Sequence, residues 1–318
     1  MKILITGVAG FIGFNIAEHL LKNKNKVFGL DNFDRYYSIA LKKKRLSILN
    51  KNKNFSFSKI DIINRKSFNN FFKNKKIDMI IHLAAQAGVR YSFINPGKYI
   101  DTNIFGFLNV IHEAKKNKIK NIMYASSSSV YGENKNFPLK ENEKLNPKNI
   151  YAVSKKLSEE MAEMYQKISD IKFVGLRFFT VYGEWGRPDM MMLKFINCFF
   201  KKKVFELYNY GKHERDFTYI GDVVNILKLL IKNHKKLPDN DLFNICSNKP
   251  IKLEKIISIM KINGVEPKIK KMPLQQADIL KTHGDNSKLL KYIKYREFAD
   301  WKDSLKKTIN WYKEFMIK

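Results

Sequence analysis

The stretch KILITGVAGFIGFNIAEHLL, residues 2–21, carries the pattern that decides the fold. Residues 2–6 are rich in isoleucine and leucine and predict a buried strand, whereas residues 11–21 repeat apolar positions with helical spacing. Gly7, Gly10 and Gly13 mark the turn between them, where glycine allows a tight bend and a close approach of the backbone to a pyrophosphate. The stretch therefore predicts a dinucleotide bound at the positive end of the first helix. Because the spacing is Gly-x-x-Gly-x-x-Gly and not the commoner Gly-x-Gly-x-x-Gly, this inference depends on the strand before the turn and the helix after it.

Strand and helix continue to alternate as far as about residue 176. The further predicted strands are residues 26–30, 55–60, 77–82, 120–125 and 172–178, and the further predicted helices are residues 65–72, 99–116 and 151–168. Continuous apolar strands that alternate with helices indicate an α/β fold. We predict a doubly wound parallel sheet of the Rossmann type, with helices on both faces.

The pattern becomes less regular after that point. Short predicted strands at residues 204–208, 215–219 and 242–245 mix with predicted helices at residues 222–232, 253–261 and 300–315. We therefore predict a dinucleotide-binding Rossmann domain over residues 1–175 and a smaller mixed α/β substrate domain over residues 176–318, with some crossing of the chain between them. No Gly/Ser-rich linker separates them, so the second domain is expected to pack directly on the sheet.

Composition places the chain among ordinary globular proteins. It has 318 residues, 44% of them hydrophobic, and its longest apolar stretches are strand-sized, so we expect no membrane insertion. The sequence enters a strand directly after Met1, which leaves no room for a signal peptide. Cys198 and Cys246 are far apart and near no other metal-ligating side chain, so we expect two free thiols, no metal and a cytoplasmic protein.

The formal net charge of +30 is large, and a basic surface can attract nucleic acid. The basic runs at residues 42–45, 73–76, 115–116 and 201–203 are not interleaved with the aromatic side chains that stack on nucleobases. We therefore interpret these runs as solvated faces and expect no nucleic-acid partner.

Further residues at predicted strand ends suit a dinucleotide. Asp31 closes the second strand, where an acid binds the ribose diol and repels a 2′-phosphate, so the cofactor is predicted to be NAD and not NADP. Asp61 and Ile62 are placed to meet the adenine edge. The residues predicted to contact NAD are Gly7, Gly10, Phe11, Ile12, Gly13, Asp31, Asn32, Asp61, Ile62, Leu83, Ala84 and Ala85, together with Tyr151 and Lys155.

Tyr151 and Lys155 are four residues apart on a predicted helix and therefore share one face. An ammonium group, with the positive nicotinamide ring, can stabilise a phenolate and bring the pKa of the tyrosine down. Such a pair is a common accident by itself. Here Ser126-Ser-Ser-Ser129 directly follows the fifth predicted strand, whose end faces the crevice where α/β sheets bind ligands.

Together these motifs resemble the extended short-chain dehydrogenase/reductase family, and within it the chain is most similar to UDP-glucuronate 4-epimerases. The similarity covers nearly the whole chain. The segments that carry it, besides the glycine turn and Tyr151-Ala-Val-Ser-Lys155, are Gln86-Ala-Gly-Val-Arg90-Tyr-Ser92, Leu176-Arg-Phe-Phe-Thr-Val-Tyr-Gly183, Gly186-Arg-Pro-Asp-Met190 and Arg215-Asp-Phe-Thr-Tyr-Ile220.

The resemblance implies a mechanism. Ser127 would bond the sugar O4, Tyr151 would be the base, and Lys155 would bind the nicotinamide ribose and lower the pKa of Tyr151. Tyr151 takes the 4-hydroxyl proton while C4 gives hydride to NAD. The resulting 4-ketosugar rotates in the pocket and receives the hydride on its other face, so the expected product of UDP-glucuronate is UDP-galacturonate.

The resemblance also implies the substrate contacts. Thr180 and Arg187 would meet the uronate carboxylate, for which an arginine fork is well suited. The remaining substrate residues are Arg90, Ser127, Ser128, Tyr151, Arg215 and Asp278, of which Arg215 and Asp278 resemble contacts to the diphosphate and the uridine ribose. Family members are usually homodimers through two helices each, here residues 99–116 and 151–168.

Two departures and three alternatives stay open. Glu184 stands where proline is usual and would add an anion near Arg187, and Gln275 stands where galactose-type epimerases have arginine. Ser128 and Ser129 replace the acids of 4,6-dehydratases, which argues against dehydration. A 4-epimerase of a neutral or N-acetylated UDP-hexose and a UDP-glucuronate decarboxylase remain alternatives, as does a catalytically inactive sensor or nucleic-acid scaffold.

Overall fold

The computed structural model describes residues 1–275, 278–295 and 297–317. Its strands are β1 Lys2–Thr6, β2 Lys26–Asp31, β3 Phe55–Lys59, β4 Met79–His82, β5 Asn121–Ser127, β6 Lys172–Phe178, β7 Thr180–Tyr182, β8 Phe205–Leu207, β9 Glu214–Arg215, β10 Phe217–Tyr219, β11 Asn240–Ile245, β12 Ile251–Lys252 and β13 Ile269–Lys271. Its helices are α1 Phe11–Lys22, α2 Ile39–Leu49, α3 Arg65–Phe72, α4 Tyr91–Ile94, α5 Gly97–Tyr99, α6 Gly106–Lys116, α7 Ile150–Lys167, α8 Met191–Phe200, α9 Ile220–Lys232, α10 Leu253–Ile262, α11 Ser287–Tyr292 and α12 Trp301–Tyr312. Ile100–Phe105 forms a π-helical segment that runs into α6, and Lys313–Ile317 forms another after α12.

Seven parallel strands form the main sheet in the order β11-β6-β5-β4-β1-β2-β3. The order reverses between β1 and β4, which leaves a crevice at the carboxyl ends of these two strands. This confirms the predicted doubly wound α/β fold.

Side chains of β1 alternate between two apolar layers, as the period of a strand requires. Ile3 and Ile5 belong to the larger core, which also contains Phe14 of α1, and Leu4 belongs to the core on the other face with Phe107 of α6. Since these side chains are fully buried, each face of the sheet is covered by helices.

Apart from β11, the strands that follow β6 in the described residues form three two-stranded sheets. β7 pairs with β10, β8 with β13 and β9 with β12. Trp185 packs with Phe14 of α1 at a ring distance of 5.2 Å and with Trp311 of α12 at 5.3 Å. These contacts join the last helix to the first.

The predicted domain boundary after residue 175 falls inside β6, and β11 returns to the sheet as its edge strand. The stretch predicted at residues 242–245 therefore belongs to the Rossmann sheet and not to the smaller unit. We predict that the chain crosses between the two domains, and residues 240–245 are one such crossing. Because the chain leaves the Rossmann sheet and returns to it, no single residue separates the two domains.

The sequence pattern predicts no helix over residues 39–49, which is wrong, and the interpretation of the basic run 42–45 as solvated holds for only two of its four residues. α2 covers this stretch, Lys42 is 6% exposed and Arg45 is fully buried, whereas Lys43 and Lys44 are exposed. The buried face of α2 carries two cations, so the apolar pattern that marks most helices is missing here.

Candidate active site

A cleft of about 410 Å³ opens at the carboxyl ends of the parallel strands. Most of the predicted site residues line it. They are Gly7, Gly10, Phe11, Ile12, Gly13, Asp31, Asn32, Asp61, Ile62, Leu83, Ala84, Ala85, Ser127, Ser128, Tyr151, Lys155, Thr180 and Arg187. The fold thus gathers residues from six separate turns and strand ends around one cavity, in the place where doubly wound sheets hold ligands.

The glycine turn at the start of α1 has room for backbone only. Gly7 has φ +72°, and a Cβ on it would lie 2.8 Å from the amide nitrogen of Ala84. A Cβ on Gly13 would lie 2.2 Å from the carbonyl oxygen of Gly7. The N-cap residue Gly10 supplies no capping side chain, so the first N–H groups of α1 are left for an anion in the cleft.

Asp31 at the end of β2 is held in place by backbone donors. Its carboxylate accepts hydrogen bonds from the amides of Ala9 at 3.2 Å and Phe33 at 2.8 Å. Lys42 of α2 lies 3.9 Å away. Burial raises the pKa of Asp31, and Lys42 and the two backbone hydrogen bonds partly oppose the rise. The oriented acid on the cleft wall fits a diol that donates hydrogen bonds.

Asn32 and Asp61 also line the cleft and contact each other. The amide of Asn32 donates to Oδ2 of Asp61 at 2.8 Å. On the opposite wall the amide of Leu83 donates to the carbonyl of Thr6 at 3.1 Å, and the amide of Ala84 donates to the Thr6 hydroxyl at 3.2 Å. These two hydrogen bonds hold the start of the segment Leu83-Ala84-Ala85 beside the cleft, and two of its three side chains are small.

Tyr151 and Ser127 meet at the middle of the cleft. Burial raises the pKa of Tyr151, while hydrogen bonding to Ser127 and the charge of Arg187 partly oppose this. Lys155, predicted to lower this pKa, is not among the groups that shift it. Lys155 donates to the carbonyl of Ala125 at 2.9 Å, and burial lowers its own pKa to about 8, with Glu159 opposing. Its effect on Tyr151 stays a prediction.

Buried polar contacts fix the helix that carries Tyr151. Asn149 caps α7 by accepting from the amide of Ala152 at 2.9 Å. Further along α7, Glu159 receives two hydrogen bonds of 2.8 Å from Arg177 of β6, and Ser126 of β5 also donates to it. Such a buried, fully paired group fixes the register of α7 against β5 and β6, which keeps Tyr151 opposite the serine-rich strand end.

Thr180 and Arg187, which are predicted to meet the sugar, also line the cleft. Arg187 is paired with Asp189, with Nε 3.1 Å from Oδ1 and Nη2 2.6 Å from Oδ2. Asp189 raises the pKa of Arg187 although burial opposes it, so the arginine is permanently charged. Glu184, expected near Arg187, instead accepts a hydrogen bond of 2.8 Å from Tyr219.

Arg90, Arg215 and Asp278 lie outside this cleft and form a group of their own. Nη2 of Arg90 is 3.4 Å from both carboxylate oxygens of Asp278. Arg215 donates to the carbonyls of Glu214 at 3.0 Å and Leu280 at 2.9 Å. Burial lowers the pKa of Arg215 to about 10, and Asp278 partly opposes this. The structure thus brings the three residues together at a second polar position.

Four residues that sequence reasoning missed support the site. Arg45 donates to the carbonyl of Ala9 at 2.8 Å and to that of Gly186 at 3.0 Å, so it joins the glycine turn to the loop before Arg187. Lys42 lies beside Asp31. Arg187 contacts the other two residues, Tyr36 and Asp189. Asp189 could have been found from its place in Gly186-Arg-Pro-Asp-Met190, whereas Arg45 gave no signal in a lysine run.

Known proteins resemble this chain along its whole length. Residues 3–246 match the NAD dependent epimerase/dehydratase family. An uncharacterized protein of Methanocaldococcus jannaschii is 44% identical over 98% of this chain and 96% of its own length. A UDP-glucuronate 4-epimerase of Thermodesulfobacterium geofontis is 37% identical, again over 98% and 96%. The crystal structure of the Bacillus cereus UDP-glucuronic acid 4-epimerase with UDP-glucuronic acid and NAD superposes with a TM-score of 0.91 at 31% identity, covering 99% of each chain.

Proposed function

We propose that this chain, which belongs to the NAD dependent epimerase/dehydratase family, is an isomerase that interconverts UDP-glucuronate and UDP-galacturonate. The observation that carries the proposal is one cleft that holds both an acid–base tyrosine, Tyr151, and a charged arginine, Arg187. The first suits oxidation at C4, and the second suits the carboxylate that distinguishes a uronate from a neutral sugar. The relatives described above support the same activity.

The cofactor is NAD. The cradle fits it, because Gly7 and Gly13 leave no space for a Cβ and Asp31 stands where a 2′-phosphate would be repelled. When bound, NAD takes a hydride from C4 of the sugar and returns it. Asp31 holds the adenosine ribose, and Lys155, buried beside Ala125, is placed to hold the nicotinamide ribose.

The residues of the sugar end divide the remaining work. Ser127 orients the 4-hydroxyl toward Tyr151, which removes its proton and later returns it to the ketone oxygen. Thr180 and Arg187 hold the carboxylate, with Ser128 beside them. Arg90, Arg215 and Asp278 are assigned to the uridine diphosphate end, since their two cations match its charge. The UDP-uronate is thereby bound at its carboxylate and at its uridine diphosphate, while C4 of its sugar faces the Tyr151 phenol.

Three finer proposals rest on separate observations. The chain forms a homodimer through the α6 and α7 region, where Phe105, Met164 and Ile168 are more than half exposed. Two free cysteines, Cys198 and Cys246, suit a reducing cytoplasm. A nucleotide-activated uronate is a glycosyl donor, so the product would serve polysaccharide synthesis.

Within the described residues no helix has the length and apolar character to span a membrane.

The test is to incubate the purified protein separately with UDP-glucuronate, UDP-glucose and UDP-N-acetylglucosamine, and to identify the products by NMR. UDP-galacturonate from the first substrate is the expected result. Turnover of the neutral sugars alone would establish a neutral 4-epimerase, and release of carbon dioxide with a UDP-pentose would establish a decarboxylase. Either outcome would contradict the proposal.

A further inference from the structure

Arg187 already has a carboxylate partner inside the protein. Its Nε and Nη2 atoms donate to the two oxygens of Asp189 at 3.1 Å and 2.6 Å, which is the bidentate arrangement that guanidinium groups form with carboxylates. Asp189 therefore presents to Arg187 the same group, in the same geometry, as a hexuronic acid would.

Tyr36 holds this pair from the side of the cofactor-binding half. Its hydroxyl donates to Oδ2 of Asp189 at 3.1 Å, and its ring centroid lies 5.5 Å from the guanidinium carbon of Arg187. Tyr36 is itself packed against Gly88, where a Cβ would lie 2.1 Å from the Tyr36 hydroxyl. Asp189 thus has a second hydrogen-bond partner, Tyr36, which is packed against Gly88 and can hold the carboxylate when the arginine changes partner.

Arg187 is open to the cleft, whereas its partner is not among the residues that line it. Arg187 lines the cavity together with Thr180 and Tyr151, and Asp189 does not. The side chain of Arg187 is 20% exposed and that of Asp189 is 33% exposed, so neither group is sealed off from solvent. The substrate carboxylate would therefore reach Arg187 from the cleft.

The proposed reaction makes a particular demand on this contact. The two faces of C4 must be presented in turn to one hydride acceptor, and the carboxylate on C5 moves with the ring. If no other anion competed for Arg187, its ion pair with the substrate carboxylate would hold the ketosugar in one orientation. An arginine left without any partner would carry an uncompensated charge in a partly buried site, which is unfavourable.

We propose that Asp189 is an internal counterion that exchanges with the substrate carboxylate on Arg187. Asp189 pairs with the guanidinium when the carboxylate of the ketosugar dissociates from it. The carboxylate replaces Asp189 again after the sugar has rotated. Competition from Asp189 weakens the hold on the uronate and so speeds its rotation. Asp189 acts through Arg187 and is a positioning residue. This inference rests on the proposed function, because it requires a uronate substrate.

The variant Asp189→Asn tests it, because asparagine keeps the size and a hydrogen-bond acceptor but removes the charge. We expect the Kd for UDP-glucuronate, measured by calorimetry, to fall at least about fivefold and kcat to fall at least about threefold, the split that results when ground-state binding gains and a later step slows. We also expect a larger steady-state share of reduced cofactor, seen as absorbance at 340 nm. The Kd for UDP-glucose, which has no carboxylate, should change by less than about twofold.

Glu266→Gln is the matched control, because it removes a carboxylate from an exposed ion pair of the same 2.6 Å length with Lys261; it should leave all four quantities unchanged. A raised Kd for UDP-glucuronate in Asp189→Asn with no rise in reduced cofactor would overturn the inference, since Asp189 would then only brace Arg187. Unchanged values would overturn it as well. Wild-type protein that fails to turn over UDP-glucuronate would instead contradict the proposed function.

Discussion

Tyr151 is the residue on which the proposed chemistry depends most. Replacing it with phenylalanine removes the hydroxyl that moves the 4-hydroxyl proton and leaves the ring packing with Tyr99 at 6.1 Å in place. We expect Tyr151→Phe to retain NAD and to lose at least about 10²-fold in kcat, the scale of general acid–base catalysis. Product formation by NMR and cofactor released on denaturation measure the two effects.

The control for this change lies on the same helix. Tyr165 is a half-buried tyrosine of α7 whose hydroxyl contacts His112 at 2.9 Å, outside the cleft. Tyr165→Phe should keep nearly full activity. Near-normal turnover by Tyr151→Phe would remove the assignment of the base.

Arg187 is the residue proposed to distinguish a uronate from a neutral sugar. Arg187→Ala removes the fork and also leaves Asp189 without the cation that offsets its charge. The lost charged hydrogen bonds are worth roughly 1.5–3 kcal/mol, so kcat/KM for UDP-glucuronate should fall at least about tenfold more than that for UDP-glucose. Steady-state kinetics with both sugars check this, and Arg35→Ala, an exposed neighbour of Tyr36, is the control. Equal losses on both sugars would mean that Arg187 does not recognise the carboxylate.

At the level of elements, the glycine turn and α1 act as one unit. Gly13→Ala would place a Cβ 2.2 Å from the Gly7 carbonyl, an atom of the backbone that cannot move aside alone. The turn and the start of α1 must then shift, so we expect the purified protein to contain at least about tenfold less NAD. Gly97→Ala, whose Cβ would meet nothing within 4 Å, should retain the normal amount. Normal NAD content in Gly13→Ala would show that the turn does not hold the pyrophosphate.

The elements predicted from sequence have an apolar period, although α8, which has one too, was not among them. β1 and β6 are found with their observed ends, because their buried side chains are apolar except for Thr6 and Arg177. α2 was missed because its buried face includes Lys42 and Arg45, whose partners are a carboxylate, Asp31, and carbonyl groups far along the chain. A charge buried by distant partners leaves no periodic trace in the sequence.

The site, too, has residues that the sequence pattern could place and residues that it could not. Gly7, Asp31 and Tyr151 could be placed at the cleft because each lies at a strand end or a helix start that the pattern reveals. The pairing of Arg187 with Asp189, and the support of Tyr36, depend on how a later loop folds back on an early one. Contacts of that kind are set by tertiary packing, which spacing alone does not give.

In the whole molecule, β6 and β11 tie the later part of the chain to the Rossmann sheet. Thr180 follows β6 after a single residue, and β6 pairs with β5, which ends at Ser127. Arg187 lies further on, in the loop after β7. Strand pairing therefore fixes Thr180 relative to Ser127. Arg45 adds a second link through the Gly186 carbonyl. A site built this way can hold a sugar at both ends while its C4 faces a single acid–base group.

The central claim is that this molecule inverts C4 of a UDP-uronate by removing and returning the same hydride. The most direct measurement is to incubate the NAD-loaded enzyme with UDP-glucuronate in D₂O and to analyse the product by proton NMR. The account predicts UDP-galacturonate whose C4 still carries protium, because the hydride never exchanges with solvent. Deuterium at C4, or no UDP-galacturonate at all, would contradict it.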